Sequence, residues 1–163
     1  MVLHTDNAVD ACREVMSTVA SGVAVLTFVD DEGAMRGMTI SSLTPVSADP
    51  PSVLMCIGGR ASCLPALGEG RVFAANVLGG GQASVSSAFA FGEEDPFTLF
   101  PWTHTGNGPP LLDEAPAYLV GVVERIVEHR GTAVVLARVL AGEVRSLDAL
   151  VYWRKTYSRL QPV

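Results

Sequence analysis

Hydrophobic positions along this chain gather in short β-branched and aromatic runs, separated by glycine, proline and acidic turns. Gly22 opens GVAVLTFV, a run too rich in β-branched and aromatic residues for a good helix. Asp30-Asp31-Glu32-Gly33 then supplies a turn in which Gly33 can take positive φ, and residues 34–42 read as the returning strand of a hairpin. Asp49-Pro50-Pro51 should break any ladder, because neither proline can donate a backbone hydrogen bond. Residues 52–57 form a continuous apolar run, the pattern of a strand buried on both faces. Residues 71–78, RVFAANVL, predict a strand with Asn76 as the polar residue inside it, and Gly79-Gly80-Gly81 a turn. Two long strands follow, AYLVGVVERIVEH at 117–129 and TAVVLARVLAGEV at 132–144, joined through Arg130-Gly131. Val151-Tyr152-Trp153 and Tyr157 close the chain.

Helical spacing is scarcer. Over 6–19, Val9, Cys12, Met16 and Val19 recur on one face, and Asp6 can cap the N-terminus by accepting from exposed N–H groups. Such a helix should cover a barrel mouth or one face of a sheet. Residues 62–67 and 82–90 predict two more short helices, the first ending at Gly68 or Gly70. Residues 91–113 read as a long loop carrying Phe97, Phe100, Trp102 and a Gly106-Asn107-Gly108 turn, open to a role as a lid or as a packing segment at a dimer edge. The strands do not alternate with helices as βαβ units require, so the pattern favours a mainly β, antiparallel, Greek-key-like barrel with a few short helices over a doubly wound sheet. All 163 residues are expected in one domain, 1–163.

Composition narrows the partners. With 48% hydrophobic and 17% charged residues the chain is globular, and a mean hydropathy of +0.33 favours a dimer. A formal charge of -6, from 17 acids against 11 bases, argues against nucleic acid or an anionic membrane as partner. No apolar run is long enough to span a bilayer, and Asp6, Asp10 and Glu14 stand where a signal peptide would be basic and apolar. Cys12, Cys56 and Cys63, with no C-x-x-C spacing, suit a reducing cytoplasm. His4, His104 and His129 are scattered and show no metal-ligand spacing.

Side-chain catalysis finds few candidates. There is no G-x-G-x-x-G after a strand, no P-loop and no G-x-S-x-G elbow. Cys56 lies in an apolar run, where a thiol is usually inert packing. The acids Glu93-Glu94-Asp95 and Asp113-Glu114 read as solvating the long loop. A reaction carried by a cofactor is therefore the better expectation. The stretch 37–62 could hold one. Thr39, Ser41, Ser42, Thr44 and Ser47 crowd hydroxyls together, and Pro45 and Pro50-Pro51 keep the backbone extended beside them. Gly58-Gly59-Arg60-Ala61-Ser62 then offers backbone N–H groups, a cation and a hydroxyl to an anion at a helix start. By spacing alone this is either a flavin mononucleotide site or a serine-rich loop with an ordinary helix cap.

At these residues the chain resembles the flavin reductase domain family, the short-chain NAD(P)H:flavin oxidoreductases that serve two-component flavin-dependent monooxygenases. The matching segments are SGVAVLTF at 21–28, GMTISSLTPVSADPPSVLMCI at 37–57, GRVFAANVL at 70–78, AFA at 88–90, GPPLLDEAPAYLVGVVE at 108–124 and LVYWRKTY at 150–157. The resemblance implies an FMN-binding split β-barrel that is homodimeric, with FMN or FAD near the subunit interface and NADH or NADPH as co-substrate. It implies that Thr39, Ile40, Ser41 and Ser42 contact the isoalloxazine ring and that Pro45, Val46 and Ser47 line its pyrimidine edge. Cys56, Ile57 and Gly58 would follow the ribityl chain, Arg60, Ala61 and Ser62 the phosphate, with Asn76 and Phe89 around the flavin. Ala133 and Trp153 stand where many relatives carry histidine, and Ala61 where serine is frequent. Two further readings stay open: a non-catalytic flavin carrier, and a flavin-dependent oxidase on the same barrel.

Overall fold

Two long strands paired hairpin-fashion form the spine of the computed structural model, which describes residues 8–104, 106 and 108–161. In chain order the elements are α1 (Ala8–Ser17), β1 (Ser21–Gly22), β2 (Ala24–Val29), β3 (Met35–Ile40), β4 (Thr44–Ala48), β5 (Pro51–Gly58), β6 (Val72–Val77) and α2 (Ala83–Phe91). They continue with β7 (Trp102–Thr103), β8 (Leu111–Leu112), β9 (Ala117–His129), β10 (Thr132–Val144), β11 (Leu150–Trp153) and β12 (Thr156–Arg159). A seven-stranded sheet runs β3-β2-β6-β9-β10-β5-β4, beside a β1-β11-β12 sheet and a β7-β8 pair. Every pairing is antiparallel. β9 and β10 begin and end where the hydrophobic runs do.

β3 stands at one end of the seven-stranded order and β5 is next to the other end. Even so, Met38 and Ile40 of β3 share one buried cluster with Met55 and Ile57 of β5, around Phe28, Phe73 and Val135. The sheet must therefore curl over its own core. Register shifts at Leu136/Ala137 and Val139/Ala141 let β10 bend across β9. No ladder joins the edge strands β3 and β4, so the sheet is curled without being closed by hydrogen bonds.

A second cluster, with Val23, Val25, Leu78, Val85 and Phe89, fills the space between β2 and α2. β2, with Leu26 and Phe28 in the first cluster and Val25 in the second, is buried on both faces, as is β6 from Phe73 to Asn76. Two-faced burial does not hold for residues 52–57. β5 alternates, with Val53, Met55 and Ile57 inward and Cys56 exposed, because only its inner face meets the core. The turn at Asp49-Pro50 does not end the ladder either: Pro51 pairs with Ala48 at a sheet edge, where its missing N–H costs nothing.

Three further expectations change. The helix over 62–67 shrinks to a single 3-10 turn at Leu64–Ala66, because Pro65 removes a donor and Leu67 leaves helical geometry at φ -90°, ψ 78°. No residue of α1 is buried. It lies off the main sheet, tied by Arg154 N–H to Ser17 O (2.9 Å) and Trp153 Nε1 to Thr18 O (3.1 Å). Its expected cap, Asp6, lies outside the described residues, as does Asn107 of the 106–108 turn. Within 91–113, Phe97 and Trp102 turn inward and pack against Phe89 with centroids 5.1 and 5.4 Å away, while Phe91 stays exposed.

A buried polar network fastens the end of that segment. Asn76 Nδ2 donates to Val25 O and to Thr27 Oγ1, both at 3.1 Å, while its Oδ1 accepts from Leu112 N–H at 2.9 Å. Thr27 Oγ1 donates onward to Pro110 O at 2.6 Å. Asn76 and Thr27 are both fully buried. Replacing Asn76 by alanine strands Leu112 N–H in the core, at a cost of roughly 2–3 kcal/mol. Thermal unfolding should shift down by about 4–12 °C for a chain of this size; a melting temperature within about a degree of wild type would contradict the network's role.

Candidate functional site

The site forms where β3 and β5 end side by side. The β4–β5 ladder pairs Thr44 with Leu54, and two positions further on the same register would join Ser42 to Cys56. Instead the Ser42 side chain takes both positions: its Oγ accepts from Cys56 N–H at 2.9 Å and donates to Cys56 O at 3.0 Å. The Ser42 backbone is thus spared from the ladder while β5 stays satisfied. On the other side, Thr39 Oγ1 donates to Ser86 O at 2.7 Å, which fixes β3 to α2. Ser86 Oγ lies 2.9 Å from Tyr157 OH, which extends the tie to β12.

Between these strands lies a cavity of about 360 Å³, within the size range of small-molecule sites. Thr39 and Ile40 form one wall and Cys56, Ile57 and Gly58 the facing wall, with Arg60, Ala61 and Ser62 in the turn beyond β5. Phe89 of α2 closes it. These predicted residues are brought together. Ser41 and Ser42 fall just outside, in two adjoining cavities. One, of about 210 Å³, is lined by Ser41, Ser86, Phe91, Tyr152 and Tyr157 and shares Thr39 and Ile40 with the first. The other, of about 470 Å³, holds Ser41, Ser42, Arg154 and Lys155 and shares Cys56 with the first.

Four predicted residues are not brought there. Pro45, Val46 and Ser47 belong to edge strand β4 and are absent from all three cavity walls; Pro45 and Val46 are exposed and Ser47 half-buried. Asn76 has its amide occupied by the sheet and Leu112. Ala133, where a histidine was compared, packs in the core opposite Ile57.

Sequence reasoning missed Gly37, Met38, Cys63 and Ala90 of the first cavity and Tyr152, Tyr157, Arg154 and Lys155 of its neighbours. Gly37 had a signal in its position at the head of the hydroxyl-rich block. A Cβ there would stand 2.5 Å from the Phe89 ring and 3.1 Å from Leu26 O, so glycine is what lets Phe89 reach the cavity. Gly59 is constrained in the same way, since its Cβ would fall 2.8 Å from Gly131 O.

The anion end differs from a helix start. Gly59 N–H donates to Gly131 O and Ala61 N–H to Gly58 O, so these two N–H groups are spent within the fold, while Arg60 and Ser62 line the cavity. Burial pushes the Cys63 thiol up, partly offset by Arg36; its Sγ lies 3.6 Å from Gly37 O, which makes it packing, not a nucleophile. Cys56 is the exposed thiol of the pair. Among the described residues no Asp, Glu or His lines the first cavity. Its facing polar walls, aromatic closure and cationic end fit a planar heteroaromatic ligand carrying a phosphate. Gly58, where an added Cβ would meet nothing within 4 Å, leaves room along the wall. Among the described residues no group of three or more His, Cys, Asp or Glu could hold a metal ion, and no helix is long and apolar enough to cross a membrane.

Fold and cavity together define a curled antiparallel β domain with a ligand-sized cavity between two strand ends. The chain belongs to the flavin reductase like domain family, whose model matches residues 16–161. Among similar proteins, a flavin reductase (NADPH) from Lentzea aerocolonigenes is 34% identical over 136 residues, 83% of this chain and 77% of that protein. The reductase component of a 4-nitrophenol 4-monooxygenase/4-nitrocatechol 2-monooxygenase from Rhodococcus opacus is 33% identical over 150 residues, 92% of this chain and 80% of that one. The structure of a Streptomyces globisporus NADH:FAD oxidoreductase in complex with NAD and FAD fragments superposes with a TM-score of 0.87 at 28% identity, covering 99% of this chain and 98% of that chain. Other relatives are longer: the chain spans 47% and 64% of the length of two from Rhizobium meliloti.

Arg60 is the test of the anion end. Arg60→Ala should weaken FMN binding by roughly tenfold or more, the loss of one charge-assisted contact, and leave riboflavin binding nearly unchanged in a fluorescence titration. Equal losses for both ligands would rule out a phosphate role.

Proposed function

We propose that this chain is an NAD(P)H-dependent flavin reductase that transfers hydride from NADH or NADPH to FMN or FAD and supplies reduced flavin to a partner monooxygenase. The observation that carries the reading is the cavity between Thr39–Ile40 and Cys56–Gly58 with Arg60 and Ser62 at one end. The family match and relatives named for NADH, NADPH and a monooxygenase reductase component support it. Residues 1–163 act as one domain with the split-barrel form of the curled sheet, in the reducing cytoplasm that three free cysteines suit. The working unit is a homodimer. Val9, Val15 and Met16 on α1 and Tyr152 and Trp153 beside it are exposed, an apolar face that a second copy would cover.

Bound in the cavity, a flavin supplies two-electron acceptor chemistry. The chain supplies position. Arg60 and Ser62 hold the phosphate, Gly58 keeps the wall open, and Phe89 backs the cavity, itself wedged by Phe97 and Trp102. Thr39 and Ser42 spend hydroxyl hydrogens on Ser86 O and Cys56 O, so they fix the walls. The main chain of Thr39 and Ile40, which line the cavity, would then serve the ring edge where negative charge develops on reduction. Pro45, Val46 and Ser47 have no part in this pocket of the single chain. The lack of Asp, Glu and His in the wall suits hydride transfer, which needs orientation more than proton transfer.

One observation favours a second reading, a flavin carrier without turnover. Ala133 is buried and Trp153 stands on the surface, at the two positions compared with histidine in relatives. Steady-state oxidation of NADH and NADPH with added FMN or FAD separates the two. The reductase reading expects turnover with at least one pair, at a rate on the order of 1–1,000 s⁻¹. Flavin uptake with negligible oxidation of both nicotinamides would leave the carrier.

A further inference from the structure

Among the described residues, Thr27, Asn76 and Ser86 are polar and fully buried. The first two fasten the end of the 91–113 segment to the sheet. Ser86 has another task. It is buried on α2 together with Val85 and Phe89, and it is the polar residue of those three. A buried hydroxyl costs stability unless it is partnered. Ser86 Oγ finds its partner outside the helix, in Tyr157 OH at 2.9 Å. Its carbonyl oxygen meanwhile accepts from Thr39 Oγ1 at 2.7 Å.

A single residue of α2 is therefore tied to two different sheets. Thr39 belongs to β3 of the seven-stranded sheet, and Tyr157 to β12 at the edge of the three-stranded one. The smaller sheet is fixed at its root. Val23 N–H donates to Leu150 O at 3.1 Å, Leu150 N–H to Leu78 O at 2.7 Å, and Leu78 N–H to Val23 O at 2.9 Å. β12 also reaches the turn that precedes α2. Arg159 lies 3.8 Å from Asp148 Oδ1, while Asp148 Oδ2 accepts from Gly80 N–H at 2.9 Å. A Cβ at Gly80 would meet the Arg159 side chain, so glycine there lets Arg159 lie against the turn.

What α2 carries is the closing wall of the flavin-sized cavity. Phe89 stands three positions beyond Ser86, on the neighbouring turn of the same helix side, and Gly37 lets its ring down beside β3. Tyr157 does not line that cavity. It lines the adjoining one of about 210 Å³, with Ser86, Thr39 and Ile40. Its hydroxyl therefore acts on a ligand through the helix and not by contact. We propose that Tyr157 is a positioning residue for the flavin: held by Ser86, it sets α2 at the height where Phe89 and Thr39 close the cavity. The proposal rests on the flavin reading of that cavity.

Calorimetric titration with FMN and steady-state kinetics, both on the full chain, test it. Tyr157→Phe keeps the ring, which packs 5.4 Å from the Tyr152 ring, and removes only the hydroxyl. It should weaken FMN binding roughly three- to tenfold and raise the KM for FMN by a similar factor. At saturating FMN its kcat should stay within about twofold of wild type. Ser86→Ala should cost the same, and Ser86→Ala/Tyr157→Phe no more than either alone, because the two hydroxyls act as one interaction. FMN affinity unchanged in Tyr157→Phe overturns the proposal, whatever its melting temperature does, since the hydroxyl then steadies the fold without reaching the site. Losses that multiply in the double variant overturn it as well, and so does a fall in kcat with KM unchanged. FMN bound by wild type without nicotinamide oxidation sinks the reductase reading, and the affinities of the four proteins then decide this one by themselves. No FMN binding by wild type overturns both.

Discussion

The hydrogen bonds between Ser42 Oγ and the two backbone groups of Cys56 fasten the end of β3 to the sixth strand of the curled sheet. A continued ladder at this point would draw residues 39–42 flat against β5 and fill the gap between them. A missing contact would leave Cys56 N–H and C=O unpaired at a strand end. A side chain in place of the main chain satisfies both groups and holds the strands a cavity's width apart. Serine at 42 can donate and accept at once, which alanine or valine could not do.

The opposite wall depends on similar economies. Thr39 spends its hydroxyl hydrogen on Ser86 O, so α2 sits at a fixed height over β3, and Gly37 lets the Phe89 ring press down beside it. Behind Phe89, Phe97 and Trp102 make edge-on and tilted contacts that bring the 91–113 segment into the core. Asn76 and Thr27 then pin the end of that segment to the sheet. The long loop is thus scaffolding for the site's aromatic wall, not a free lid.

Strand positions were largely legible because they depend on local pattern. The β2–β3 hairpin, β6, β9 and β10 lie where β-branched runs and turn residues placed them. Thr39, Ile40, Cys56, Ile57, Gly58, Arg60, Ala61 and Ser62, close in sequence and carrying hydroxyls, glycine and a cation, line one cavity. Other placements were decided across the sheet. Asn76, expected around the flavin, has its amide bonded to Leu112 N–H, 36 positions away. Pro45, Val46 and Ser47 continue the hydroxyl-rich block in sequence but lie on edge strand β4, outside the three cavity walls. Tyr157 joined the site only through Ser86, from a strand near the end of the chain.

The central claim is that a flavin occupies the space between Ile40 and Cys56, phosphate toward Arg60. A crystal structure of the protein grown with FMN tests it directly. The account predicts ring density between the ends of β3 and β5, with phosphate oxygens in hydrogen-bond reach of the Arg60 guanidinium and the Ser62 hydroxyl, about 2.7–3.2 Å. Flavin bound instead against β4, or with its phosphate turned away from Arg60, would contradict it.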